Sequence, residues 1–155
     1  MYEGEFANNL YEGIGKITFP DGGFYHGYFQ EGKRNGEGLV FYASKDRYSG
    51  QWKNGLKHGN GTYIIEKISS KIKGKWEDGK IMEGEWVLSN GDVYKGAFKN
   101  QYPCGEGTWI LKKGVEKKGV YTQIERTEES KTFPKIKSEF YNEILPKIDL
   151  DWVEI

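Results

Sequence analysis

One spacing governs this chain. The stretch YSGQWKNGLKHGNG at residues 48–61 recurs 23 residues upstream as YHGYFQEGKRNGEG (25–38), and a further 23 upstream as YEGEFANNLYEGIG (2–15). YKGAFKNQYPCGEG begins at Tyr94, two periods after Tyr48. Between them, IKGKWEDGKIMEG (72–84) starts one residue late and has a turn one residue shorter, so Gly84 returns to the frame. A half copy, KKGVY (117–121), places Lys117 where the first aromatic belongs. Residues 1–121 thus hold five repeats plus a half repeat, and residues 122–155 form a tail that breaks the pattern. A period of this length makes an array, in which each unit buries its apolar face against its neighbours.

Within a unit, the aromatic, the glycine and the Phe or Trp fall at i, i+2 and i+4, which places them on one face of a strand. The intervening residues, such as His26 and Tyr28 or Ser49 and Gln51, face water. A turn rich in residues that accept left-handed angles follows, as in KNGLKHG. The second strand opens on Gly15, Gly38, Gly61, Gly84 or Gly107, with apolar residues two and four places on. Asp-Gly in PDGG (20–23) and Asn-Gly in SNGD (89–92) are hairpin signals. Each unit therefore reads as a β-hairpin, and stacked hairpins give an all-β, single-layer antiparallel sheet. About eleven strands make a ribbon on the order of 50 Å long. The glycine between two rings leaves room for neighbouring rings to lean over the gap and for the sheet to bend.

Composition agrees with a thin structure of rings and turns. Hydrophobic residues are 36%, while aromatics reach 15% and glycines number 22. With 23 basic and 23 acidic residues the formal net charge is zero, which argues against nucleic acid as a partner. Cys104 stands alone, so a reducing compartment is expected. The sequence shows no apolar run near eighteen residues and no secretory signal at its start, and a soluble, cytoplasmic protein is the expectation.

The pattern Y-x-G-x-[F/W]-x-x-G-x-x-x-G-x-G, repeated in register over residues 2–121, resembles the MORN-repeat family. Departures are Asn9 and Gln101 at the mid-turn glycine, Ile72 for tyrosine, and Lys117. Residues 90–121, NGDVYKGAFKNQYPCGEGTWILKKGVEKKGVY, are similar to the end of the array in the radial-spoke-head branch of that family, found in motile cilia. The resemblance implies a non-catalytic scaffold subunit of a cytoskeletal assembly such as a ciliary axoneme complex. The alternative it offers is a membrane-apposed module contacting phosphoinositides. Against strong lipid binding, the array carries 18 basic and 15 acidic residues, a net of +3. A regulatory array of an enzyme is also known in the family, but 34 residues after the array are too few for a catalytic domain.

No enzyme site is predicted. His58 and Cys104 lie two repeats apart, roughly 19 Å along the ribbon, beyond hydrogen-bond reach. One cysteine and two separated histidines do not complete a zinc site, and no G-x-G-x-x-G opens a helix, so neither metal nor cofactor is expected. The ring face is the candidate site, through Tyr25, Phe29, Tyr48, Trp52, Trp76, Trp86, Tyr94, Phe98 and Trp109. Its rings either pack on one another or receive a peptide or helix from other protein subunits. The first strand, starting at Tyr2, offers a sheet edge to a second chain. In the tail, ERTEESK (125–131) reads as a charged connector and KIKSEFYNEIL (135–145) as a short amphipathic helix, either capping the last hairpin or docking a partner. In IDLDWVEI (148–155), Ile148, Leu150 and Trp152 alternate with Asp149, Asp151 and Val153, and the segment is assigned to neither role.

Overall fold

The computed structural model describes residues 1–125 and 148–155. Twelve strands form: β1 (Tyr2–Ala7), β2 (Leu10–Thr18), β3 (Phe24–Gln30), β4 (Lys33–Phe41), β5 (Arg47–Lys53), β6 (Leu56–Ile65), β7 (Ser70–Glu77), β8 (Lys80–Val87), β9 (Val93–Lys99), β10 (Tyr102–Ile110), β11 (Glu116–Glu125) and β12 (Ile148–Glu154). They lie antiparallel in one open sheet in chain order, with β1 and β12 at its two edges. The expected all-β array of stacked hairpins is therefore the fold. Helix among the described residues is confined to a 3-10 turn at Glu66–Ile68.

The register explains the repeat glycines. Gly4 pairs with Gly15, Gly15 with Gly27, Gly27 with Gly38, and so on through Gly50, Gly61, Gly74, Gly84, Gly96 and Gly107 to Gly119. One unbroken row of glycines thus crosses the first eleven strands. At Gly50 a Cβ would meet the Cα of Gly61 and lie 2.9 Å from the Tyr48 hydroxyl oxygen. The missing side chains let backbones approach and let a ring lie across them.

Beside that row each hairpin is irregular. The register shifts at Gly4/Glu5, Gly27/Phe29, Gly50/Trp52 and Lys75/Trp76, and between Pro103 and Gly107. Such bulges bend a strand and raise its twist. In the third hairpin Gly59 takes up the extra length at a φ of 58°. The fourth hairpin, one residue shorter, lacks that left-handed glycine, which is why its sequence slips and then recovers.

Hairpin tips are two-residue turns with both central residues left-handed, as at Asn54 (φ 50°) and Gly55 (φ 84°). Asn9 and Gln101 adopt the same conformation at φ 61° and 72°, so the glycine departures leave the turn shape unchanged. Consecutive tips are also joined: the Gly32, Gly55 and Gly79 N–H groups donate to the carbonyls of Tyr11, Arg34 and Lys57, each at 2.9 Å. Between hairpins, Phe19–Gly23, Tyr42–Asp46, Leu88–Asp92 and Leu111–Val115 close with the same pair of backbone bonds.

The sheet differs from expectation at its far end. Residues 148–154 add a twelfth strand along β11, pairing Tyr121 with Trp152, and the two rings meet at 4.7 Å. The final segment thus completes the sheet. The helix expected at 135–145 lies outside the described residues, as does the connector from residue 126 onward.

Candidate ring-face interaction site

Alternation along each strand sorts the side chains cleanly. Tyr25, Phe29, Tyr48, Trp52, Tyr94 and Phe98 are buried, while His26, Tyr28, Ser49, Gln51, Lys95 and Ala97 between them are exposed. The nine nominated residues are brought onto one face, and Trp109 is the only one of them not buried. They cover one another rather than waiting open.

The tyrosines act as latches. Tyr25, Tyr48 and Tyr94 are 0% exposed, each ring lying over the glycine pair of its own hairpin. Each hydroxyl donates to the carbonyl three residues on: Tyr28 at 2.9 Å, Gln51 at 3.0 Å and Ala97 at 3.3 Å. Burial pushes the Tyr25 and Tyr94 hydroxyls up to about 12, and moves Tyr48 in the same direction. Tyr63 is also raised, by burial and then by the Asp46 carboxylate, which accepts its hydrogen bond at 3.1 Å.

Trp52 and Trp76 link one hairpin to the one before, while Trp86 braces its own. The indole N–H of Trp52 donates to Gly38 O, that of Trp76 to Gly61 O, and that of Trp86 to Ser70 Oγ, all at 3.1 Å. Edge-on ring contacts run from Tyr25 to Trp52 (5.3 Å), Trp52 to Tyr48 (5.2 Å) and Tyr48 to Trp76 (5.3 Å). Each pair is worth about 0.5–1.5 kcal/mol beyond its area. The eight buried nominated rings are thus the floor of the face. Above them lie half-buried residues that an incoming segment would touch first, among them Tyr11, Tyr42, Tyr63 and Trp109.

Two further residues on this face escaped the sequence reading. Arg34 and Lys57, 23 residues apart, occupy equivalent places in the second and third hairpins. The Arg34 guanidinium lies 4.4 Å from the Trp52 ring centroid and donates to Gly55 O at 2.7 Å. Lys57 Nζ sits 4.7 Å from Tyr63, 5.0 Å from Trp76, 5.5 Å from Tyr48 and 5.9 Å from Tyr42. Burial, then the nearby Arg34 charge, lowers the Lys57 ammonium to about 8.

His58 and Cys104 lie on β6 and β10, with three strands between them. Among the described residues, no three His, Cys, Asp or Glu side chains converge as metal ligands would.

A family model described as MORN repeat matches residues 2–24, 25–47, 48–66 and 94–115, more than half of the chain. The hairpin it omits is the shortened fourth one. Among curated proteins, none matches the chain.

Proposed function

The chain belongs to the MORN-repeat family, and from that premise we propose that it is a non-catalytic scaffold subunit of a cytoskeletal assembly, specifically a ciliary axoneme complex such as the radial spoke head. Repeats of this family mediate contacts with proteins and membranes and are of a non-enzymatic type. The observation that carries the proposal is the ring face itself: a closed aromatic floor with half-buried tyrosines and a tryptophan above it. Aromatic anchors on a fixed backbone suit the binding of another protein's segment, because they bring large contact area at small entropic cost. The near balance of charge over the array favours a protein surface above an anionic membrane. The radial-spoke assignment is narrower and stands on the likeness of residues 90–121. Localisation to the cytoplasm and axoneme follows from that assignment.

Two assays run side by side test it: recovery of the tagged protein's partners from an axonemal extract, and co-sedimentation with phosphoinositide vesicles. Recovery of defined spoke-head subunits, with Lys53→Glu at the exposed end of β5 binding as well as wild type, is the expected result. Sedimentation with vesicles and no axonemal subunit recovered would overturn it.

A further inference from the structure

We propose that Arg34 and Lys57 form a carboxylate-recognition site on the ring face, and that the segment it receives is an acidic peptide. This deepens the scaffold proposal and rests on it. Four other cations are ion-paired: Lys75 with Glu83 at 2.8 Å, Lys95 with Glu85 at 2.9 Å, Lys117 with Glu154 at 2.9 Å and Arg47 with Glu66 at 3.3 Å. Those four are exposed. Arg34 and Lys57 are half-buried, yet among the described residues neither has a carboxylate within ion-pair distance. A partly desolvated cation without a counter-ion is costly, and the rings beneath offset only part of that cost.

The fold does not require charge at this place. The equivalent residues in the other hairpins are Tyr11, Ile81 and Pro103, and both Ile81 and Pro103 are fully buried. Two adjacent hairpins therefore carry cations where their neighbours carry apolar groups. Arg34 on β4 and Lys57 on β6 are two strand spacings apart at the backbone, about 10 Å, and Lys57 feels the Arg34 charge. A carboxylate seated there satisfies both. The flanking Tyr42, Tyr63 and Trp76 rings cover the aliphatic part of an acidic side chain or an apolar neighbour. The near balance of charge over the array, 18 basic and 15 acidic residues, favours an acidic peptide over a lipid polyphosphate surface.

The test uses the full chain and a fluorescent oligoglutamate peptide, with matched oligoglutamine and phosphatidylinositol-bisphosphate vesicles as comparisons. Oligoglutamate is expected to bind, oligoglutamine not, and binding should weaken as salt rises. Arg34→Met with Lys57→Ile, the latter copying the residue at position 81, should lower affinity at least about tenfold. Lys57→Arg, which keeps the charge, should retain binding and guards against a misfolded double variant. Equal binding of both peptides, undiminished binding by a folded double variant, or binding of vesicles alone would overturn the assignment. The axonemal recovery assay separates the two proposals. If the double variant still captures the spoke-head subunits, the acidic site fails and the scaffold stands. If wild type captures none, the scaffold proposal fails whatever the peptide does.

Discussion

At Gly50 a side chain has nowhere to go, since its Cβ would meet the backbone of the paired strand and the Tyr48 hydroxyl. Ser49, one residue earlier, faces solvent. Gly50→Val should cost about 3 kcal/mol or more and Ser49→Val within about 0.5 kcal/mol, as measured by urea unfolding. The buried hydroxyls predict a pH dependence as well. Tyrosines whose folded pKa is raised from 10.0 to about 12, such as Tyr25 and Tyr94, keep their proton in the folded chain while the unfolded chain loses it. Stability should therefore fall as pH rises above about 10. Lys57 acts with the opposite sign. Its folded pKa of about 8 lies below 10.5, so folding becomes more favourable between those values. Unfolding titrations should show a gain between pH 8 and 10 that Lys57→Ile abolishes, and a loss above pH 10 that persists in that variant. A monotonic decline from pH 8 in wild type would contradict the burial of Lys57.

The hairpin is the element that the sequence reveals best, because its signals are local. Alternation sent Tyr48 inward and Ser49 outward, and Asn54-Gly55 marked a tip that the chain does make. Arg34 and Lys57 were hidden for the opposite reason. Read along the chain, KNGLKHG is turn and surface. Only comparison across copies (Tyr11, Arg34, Lys57, Ile81, Pro103) exposes an inward place. Even then the rings around Lys57 come from residues 42, 48, 63 and 76, which no linear pattern assembles. The same limit applied to β12: the alternation in IDLDWVEI says nothing of the edge that the segment joins. At element scale the tip of the fifth hairpin offers a check. Gln101 holds a φ of 72° that glycine adopts without strain, so Gln101→Gly should raise stability by about 0.5–1 kcal/mol in denaturant unfolding.

For the whole molecule, each described strand hydrogen-bonds only to its sequence neighbours and its rings reach one strand further, so stability is a sum of hairpins and their interfaces. The first hairpin has a neighbour on one side only. Its Phe6 is 61% exposed, whereas Trp52 in the third is 4% exposed. Hydrogen exchange should accordingly be fastest in β1 and slowest across β5 to β9. The two faces of the sheet also differ in kind, one built of rings with Arg34 and Lys57 among them, the other mostly polar and carrying the Lys75–Glu83 and Lys95–Glu85 ion pairs. The most direct measurement of the central claim is site-specific photo-cross-linking in the native assembly. A photoreactive residue at Tyr42 probes the ring face, and one at Ser49 probes the opposite face. Cross-links from position 42 to an acidic segment of a neighbouring subunit, with none from position 49, are predicted. Protein cross-links from position 49 alone would contradict the ring face as the docking surface.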